Sequence, residues 1–286
     1  MYYVTGDIHG NLNLLKDRCQ YANIQKGDTV IILGDVGANF YTGMKDEIFK
    51  KRANDLGILL FCIHGNHEIR PENLKTYHTK QWNGGTVYYE DEYPNLIFAM
   101  DGQVYDIEGI KTLVVGGAYS VDKYYRIYDA VSRFPFTLTS DEISLVTKAV
   151  NVAYSDKMDA EFLKKINKII KKIPSSVLYW WKDEQMSYKA RKDCEQKLKE
   201  LDWKVDVVLS HTCPLKFEPT EMFLEGLNQD FIDKTMEKWL NKIENKLDYK
   251  IWYAGHFHTN KTVNKKFQFL FSEVQNFAES INNLNK

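Results

Sequence analysis

The chain has 286 residues, room for one large domain or two ordinary ones, and its 44% hydrophobic and 27% charged content suits a globular protein with a sizeable core. Lysine and arginine (38) balance aspartate and glutamate (39) to a net charge of −1, so no global charge draws the chain to nucleic acid or a membrane surface. Its four cysteines, Cys19, Cys62, Cys194 and Cys213, form no C-x-x-C pair, which argues against a disulfide scaffold and predicts a reducing, cytoplasmic setting. No apolar run approaches the length of a membrane span, and a strand pattern starting at Tyr2 leaves no signal peptide to expect.

Residues 2–5 read as a short strand running into Gly6-Asp7-Ile8-His9-Gly10. Asp7 and His9 can aim an oxygen and an imidazole nitrogen at one point, a pairing that suits Zn, Fe or Mn. Alone, an Asp–His pair is commoner as a surface contact. Asn11 is placed to cap a helix over 12–22. Residues 29–37, TVIILGDVG, repeat the pattern. Val30 to Leu33 read as a strand buried on both faces. Asp35 follows at its C-terminal end, where open α/β sheets bind ligands. A helix over 44–55, a strand over 58–63 and Gly65-Asn66-His67-Glu68 come next. Asn66 offers a carbonyl oxygen, and His67 an acid, a base or a ligand. The first part is therefore βαβαβ, and a right-handed parallel arrangement gathers its three polar strand ends.

Residues 86–116 read as short strands in a meander. Residues 116–128, GGAYSVDKYYRIY, read as an aromatic loop carrying Asp122, Lys123 and Arg126. Thr139-Ser140-Asp141-Glu142 has the form of a helix start. Over 155–174, Lys157, Lys164, Lys165, Lys168, Lys171 and Lys172 outnumber Asp156, Asp159 and Glu161, while Phe162, Ile166, Ile169, Ile170 and Ile173 recur at helical spacing. That predicts an amphipathic helix whose basic face is either solvated or a contact surface for an acidic substrate. Tyr179, Trp180 and Trp181 open a further, highly charged helix. A fourth apolar strand, 205–209, ends in Ser210-His211-Thr212-Cys213-Pro214, and an amphipathic helix follows over 231–247. A fifth strand, 251–254, ends in Gly255-His256-Phe257-His258-Thr259, and a strand or two centred on 267–271 closes the chain.

The blocks GDIHG, GDVG, GNHE, SHTCP and GHFHT thus each follow an apolar strand, in that order. The ordered set resembles the calcineurin-like metallophosphoesterase superfamily across residues 6–259, and the 116–126 and 180–185 segments are similar to those of bacterial and phage members. The resemblance implies an α/β fold: a four-layer αββα sandwich of two mixed β-sheets flanked by helices. One domain would span 1–286, with a helical insertion, or cap, at 134–175. It also implies two divalent metal ions (Mn, Fe or Zn), one held by Asp7, His9, Asp35 and His258, the other by Asn66, His211 and His256 with Asp35 shared. A bridging hydroxide would attack phosphorus in line, with the ions neutralising charge on the phosphoryl oxygens. His67 matches the family's catalytic acid, which protonates the leaving oxygen or steadies the transition state. Glu68 and Thr212 stand behind the ligands, and His64 and His78 remain as non-ligands.

One departure bears on substrate. The protein Ser/Thr phosphatase branch reads G-D-x-V-D-R-G where this chain reads Gly34-Asp35-Val36-Gly37-Ala38-Asn39-Phe40. Ala38 replaces the Asp that orients the catalytic His. Asn39 replaces the Arg that clamps phosphate, keeping a donor but no charge. Asn39 and Arg126 are the expected substrate-binding residues, with the lysine-rich helix as a further source of charge and Tyr124, Tyr125 and Trp180 as stacking surfaces. The expected activity is hydrolysis of a phosphodiester or nucleotide. Phosphomonoester hydrolysis, including protein phosphatase action, and a scaffold without catalysis are the alternatives. Expected partners are a phosphorylated small molecule, a nucleotide or nucleic acid, and no membrane.

Overall fold

Short apolar strands set the frame. In the computed structural model, which describes residues 1–134, 138–153 and 159–283, β1 (Tyr2–Thr5), β2 (Thr29–Ile32) and β3 (Leu59–Cys62) run parallel, with Tyr3 beside Val30 and Val30 beside Leu60. The crossovers are α1 (Leu12–Tyr21) and α2 (Met44–Asn54). The Asn11 side chain caps α1, accepting from the Leu14 amide at 3.0 Å. Then come β4 (His78–Trp82), β5 (Gly85–Tyr89), β6 (Leu96–Ala99), β7 (Val104–Ile107) and β8 (Ile110–Val115). The helices α3 (Lys123–Arg133), α4 (Ser140–Ala153), α5 (Ala160–Ile170), α6 (Ser175–Leu178) and α7 (Tyr188–Glu200) follow. The chain finishes with β9 (Val207–Ser210), α8 (Thr235–Glu244), β10 (Ile251–Ala254), β11 (Lys261–Asn264), β12 (Phe267–Phe269), β13 (Val274–Asn276) and α9 (Phe277–Asn283).

These strands make a seven-stranded sheet, β13-β1-β2-β3-β6-β5-β4, and a six-stranded sheet, β11-β12-β10-β9-β8-β7. Both are mixed. Period-2 alternation assigns each side chain a layer. Ile31, Leu33, Phe61, Ile63, Val114, Val207, Leu209 and Tyr253 meet between the sheets. From the first sheet Val30, Ile32, Leu60 and Phe98 point outward to Leu15 of α1 and Phe49 of α2. From the second, Leu113, Val208 and Trp252 point outward to Leu198 of α7 and Leu240 of α8. The result is helix, sheet, sheet, helix: an α/β sandwich.

Three expectations are corrected. Residues 86–116 are not one meander. β5 and β6 stay in the first sheet, where β6 lies parallel to β3, whereas β7 and β8 open the second. Alternation looks the same whether successive strands pair or face one another across a core. Residues 123–133 form α3 instead of a loop, because Tyr124, Ile127, Ala130 and Val131 fall on one helical face and are buried. Tyr179–Trp181 do not open a helix. Tyr179 has a left-handed φ of 48°, and the helix starts only after Ser187, whose hydroxyl accepts from the Ala190 amide.

Helices α3 to α6 share a hydrophobic cluster of their own, built on Tyr124, Ile127, Val146, Ile166, Ile169 and Leu178. Thr139 and Glu142 exchange side chain-to-amide bonds of 3.2 and 3.0 Å at the start of α4. Asp159 caps α5. The lysine-rich helix therefore begins at Ala160; residues 154–158, with Asp156 and Lys157, lie outside the described residues. Lys164, Lys165, Lys168, Lys171 and Lys172 are exposed, and Lys165 and Lys172 pair with Glu161 and Glu142.

Candidate metal centre

β1, β2 and β3 in one sheet and β9 and β10 in the other deliver their C-terminal ends to the same edge of the sandwich, so the loops after them converge. Glycines make the approach possible. A Cβ on Gly65 would lie 1.9 Å from Asp35 Oδ1, and one on Gly34 would lie 2.0 Å from His211 Nδ1. The turns themselves are strained: His9 (φ 46°), Asp35 (48°), His256 (67°) and His258 (49°) all hold left-handed backbone, which costs energy for residues with a Cβ and concentrates at functional sites.

The side chains gathered there are those the sequence singled out. His9 Nε2 and His258 Nε2 face each other at 2.9 Å. Asp7 Oδ2 lies 3.4 Å from His258 Nε2 and 3.9 Å from His9 Nε2. Asp35 Oδ1 is 3.6 Å from His211 Nε2, and its Oδ2 is 3.9 Å from both His9 Nδ1 and His67 Nε2. His211 Nε2 is 2.9 Å from Asn66 Oδ1, and the rings of His211 and His256 are 5.0 Å apart. Neighbouring groups fix these orientations. His211 Nδ1–H donates to the Leu33 carbonyl at 2.7 Å, which leaves Nε2 its lone pair. Asn66 Nδ2 donates to Ser120 Oγ at 3.0 Å, which turns Oδ1 inward. The His67 and His256 amides donate to Asp35 and Asp7. Arg18, reaching back from α1, donates to the Gly6 and Asp7 carbonyls at 3.0 and 3.1 Å. Glu68 accepts from the Gly37 and Gly65 amides and ties two of the loops together.

Electrostatics shows what the site wants. Asp7 and Asp35 are each 1% exposed. Burial alone would raise their pKa values, yet the surrounding imidazoles lower both, and hold Asp35 well below the usual carboxylate range. Burial pushes His256 down to about 3, so that its ring is neutral at working pH. Asp7 Oδ2 is buried without a hydrogen-bond partner. Two buried carboxylates, one with an oxygen that lacks a hydrogen-bond partner, among converging imidazole nitrogens fit a cation. Among the described residues three groups could hold one: Asp7, His9 and His258; His9, Asp35 and His67; and Asp7, Asp35 and His211, the donor atoms of each lying within 4.8 Å of one another.

Beside the cluster lies a cleft of ≈330 Å³ lined by Asp35, Asn66, His67, His256 and His258 on one side and by Phe223, Leu224, Leu227 and Phe257 on the other. Phe223, Leu224 and Leu227 come from 215–230, a segment of short 3₁₀ turns that sequence patterning did not single out, and Phe257 follows β10. Two substrate-binding expectations part company here. Arg126 of α3 reaches the site. Its Nη2 is 2.8 Å from His67 Nε2 and closer still to Nδ1, while Asp122 and the Tyr179 carbonyl hold the rest of the guanidinium. Asn39 does not reach it. At 1% exposure it is turned inward, accepting from the Tyr77 hydroxyl at 3.1 Å. Tyr124 and Trp180 pack on the helical cluster, which leaves only Tyr125 of the expected stacking residues exposed. Ser120 and Arg18 were missed, because neither a serine in an aromatic segment nor an arginine in a helix shows in sequence where it points.

A two-sheet α/β sandwich with carboxylates and imidazoles at converging strand ends is the architecture of a metallophosphoesterase. The chain belongs to the calcineurin-like phosphoesterase family, whose model matches residues 2–260. It is accordingly a phosphoesterase, a hydrolase acting on ester bonds. No curated protein matches the chain. No described helix is long and apolar enough to cross a membrane.

Proposed function

We propose that the chain hydrolyses a phosphodiester or nucleotide at a centre of two divalent ions, with Asp7, His9, Asp35 and His258 holding one ion and Asn66, His211 and His256 the other, Asp35 being common to both. Asp35 carries this reading. Its carboxylate faces His211 through Oδ1 and His9 through Oδ2, so it stands between two donor sets. When bound, Mn, Fe or Zn ions supply positive charge for the phosphoryl oxygens and a hydroxide nucleophile near neutral pH. The chain's own groups do the rest. His67 stands at the mouth of the cleft as the acid for the leaving oxygen. Its pKa is lowered by burial, with Asp35 opposing the shift and Arg126 adding to it. Arg126, in place of the arginine absent at Asn39, is the cation nearest the reacting phosphate. Arg126 is paired with Asp122, and Lys234 of the cleft lining with Glu218, so a partly apolar cleft with little unpaired positive charge suits a diester monoanion better than a monoester dianion. Helices α3 to α6, which share one hydrophobic cluster and bring Arg126, act as the cap.

The test is metal analysis of purified wild type and Asp35→Ala, paired with turnover of aryl phosphate mono- and diesters. About two ions per chain in wild type and a preference for the diester are expected, with both metal and activity lost in the variant. Two ions retained in the variant, with turnover down only a few-fold, would refute the shared carboxylate.

A further inference from the structure

The metal cluster opens on two sides. The cleft described above is one. A second cavity of ≈340 Å³ starts at His9 and runs between the first turn of α1 and the face of α2, lined by Asn11, Tyr41, Lys45, Ile48 and Arg52 among others. His9 joins the two. It lines the second cavity, while its ring centre lies 5.2 Å from that of His67 and 4.9 Å from that of His258, both of which line the first.

The two cavities differ in chemistry. The first has an apolar wall. The second carries two exposed cations, Lys45 and Arg52, about two turns apart on the same helix. Lys45 sits 4.3 Å from the centre of the Tyr41 ring, and among the described residues neither cation pairs with a carboxylate. The acid in this lining, Asp46, is 5% exposed, and its carboxylate is taken up by the amides of Tyr41 and Thr42 at 2.7 to 3.0 Å. It holds the 41–43 loop on α2 and does not cancel the two cations. Lys45 and Arg52 are thus free to meet an anion entering beside His9.

A phosphomonoester has one organic arm and needs one cavity. A diester has two arms that leave the phosphorus in different directions. We propose that the second cavity receives the far arm of a phosphodiester chain, with Lys45 and Arg52 binding the next phosphate along from the scissile one. This rests on the phosphodiester reading above and goes beyond it by naming the substrate as an oligonucleotide whose neighbouring phosphate is read. Contact with phosphate carries position rather than base identity, so the subsite favours chain length and end, not sequence.

The metal-loaded protein can be assayed on thymidylyl-thymidine without a terminal phosphate, with a 5′-phosphate and with a 3′-phosphate, beside bis(4-nitrophenyl) phosphate. Wild type should prefer one of the two phosphorylated dinucleotides over the plain one by about tenfold in kcat/KM, mainly through KM. The Lys45→Ala/Arg52→Ala double variant should bring that ratio to about one and leave the aryl diester within about twofold. Binding of a fluorescein-labelled oligothymidylate gives a readout without turnover. The slope of log affinity against log salt should be shallower in the variant by about 0.7 for each phosphate that is no longer neutralised. If wild type hydrolyses the aryl diester but shows no preference for a terminal phosphate, or if the preference survives the substitutions, the subsite is refuted and the diester reading stands. If the aryl diester is not hydrolysed, both fail.

Discussion

At the scale of single residues, the proposed reading gives His67 a proton to handle and the other imidazoles a metal to hold. His67 lies 3.9 Å from Asp35 Oδ2, as His9 does, but its other neighbour is the Arg126 guanidinium, and a cation on that edge makes it a poor place for a metal. His67→Ala should therefore keep close to two ions per chain while turnover falls by roughly 10²–10⁴. The loss should be smaller for a 4-nitrophenyl leaving group, which needs less protonation. Metal content falling in step with rate would assign His67 to the ligand set instead.

At the scale of elements, a strand end aims its side chain at the cluster only because something behind it holds the turn. α1 does this for Asp7 through Arg18, and Glu68 does it for the loops after β2 and β3. α3 supplies Arg126 from outside the sandwich, and its apolar face packs on α4 to α6 and not on either sheet. Replacing 134–175 by a linker would strip that face, so the cut belongs at 123–178. With that segment replaced by a short Gly/Ser linker, the strand content measured by circular dichroism and the two ions per chain should persist. Turnover should drop on every ester, since Arg126 leaves with the helices. Loss of metal together with the helices would show that the segment supports the centre itself.

At the scale of the whole molecule, stability should depend on pH through a buried acid beside the site. Glu237 on α8 is 5% exposed, accepts from Thr212 Oγ1 at 2.6 Å, and leaves Oε2 buried without a partner. Burial pushes its pKa up to about 7. The folded protein therefore keeps a proton that the unfolded chain releases near pH 4.5, and stability falls as pH rises from about 4.5 to 7, by at most about 3 kcal/mol from this group. Glu237→Gln stays neutral throughout. Urea unfolding at pH 5 and pH 7.5 should show the variant losing less stability than wild type over that interval. Comparing the two proteins cancels the opposing contribution of the histidines. Equal slopes would mean that Glu237 is already ionised in the folded state.

The sequence by itself determined the sandwich and which polar side chains gather at its converging strand ends. Apolar runs such as Val30 to Leu33 admit only a strand buried on both faces, and a polar residue straight after each run can sit nowhere but at a strand end. The helix starts at Asn11 and Thr139 were legible for the same reason: capping is a contact between residues three apart. What the tertiary structure decided was long-range. Asn39 and Arg126 looked equally able to bind phosphate, yet one turns to Tyr77 inside the fold and the other arrives beside His67 from a helix 59 residues away. The division of 86–116 between two sheets, the apolar wall from 215–230 and the basic cavity beside His9 likewise depend on which surfaces meet. Local patterning records how buried each side chain will be, but not which partner it will be buried against.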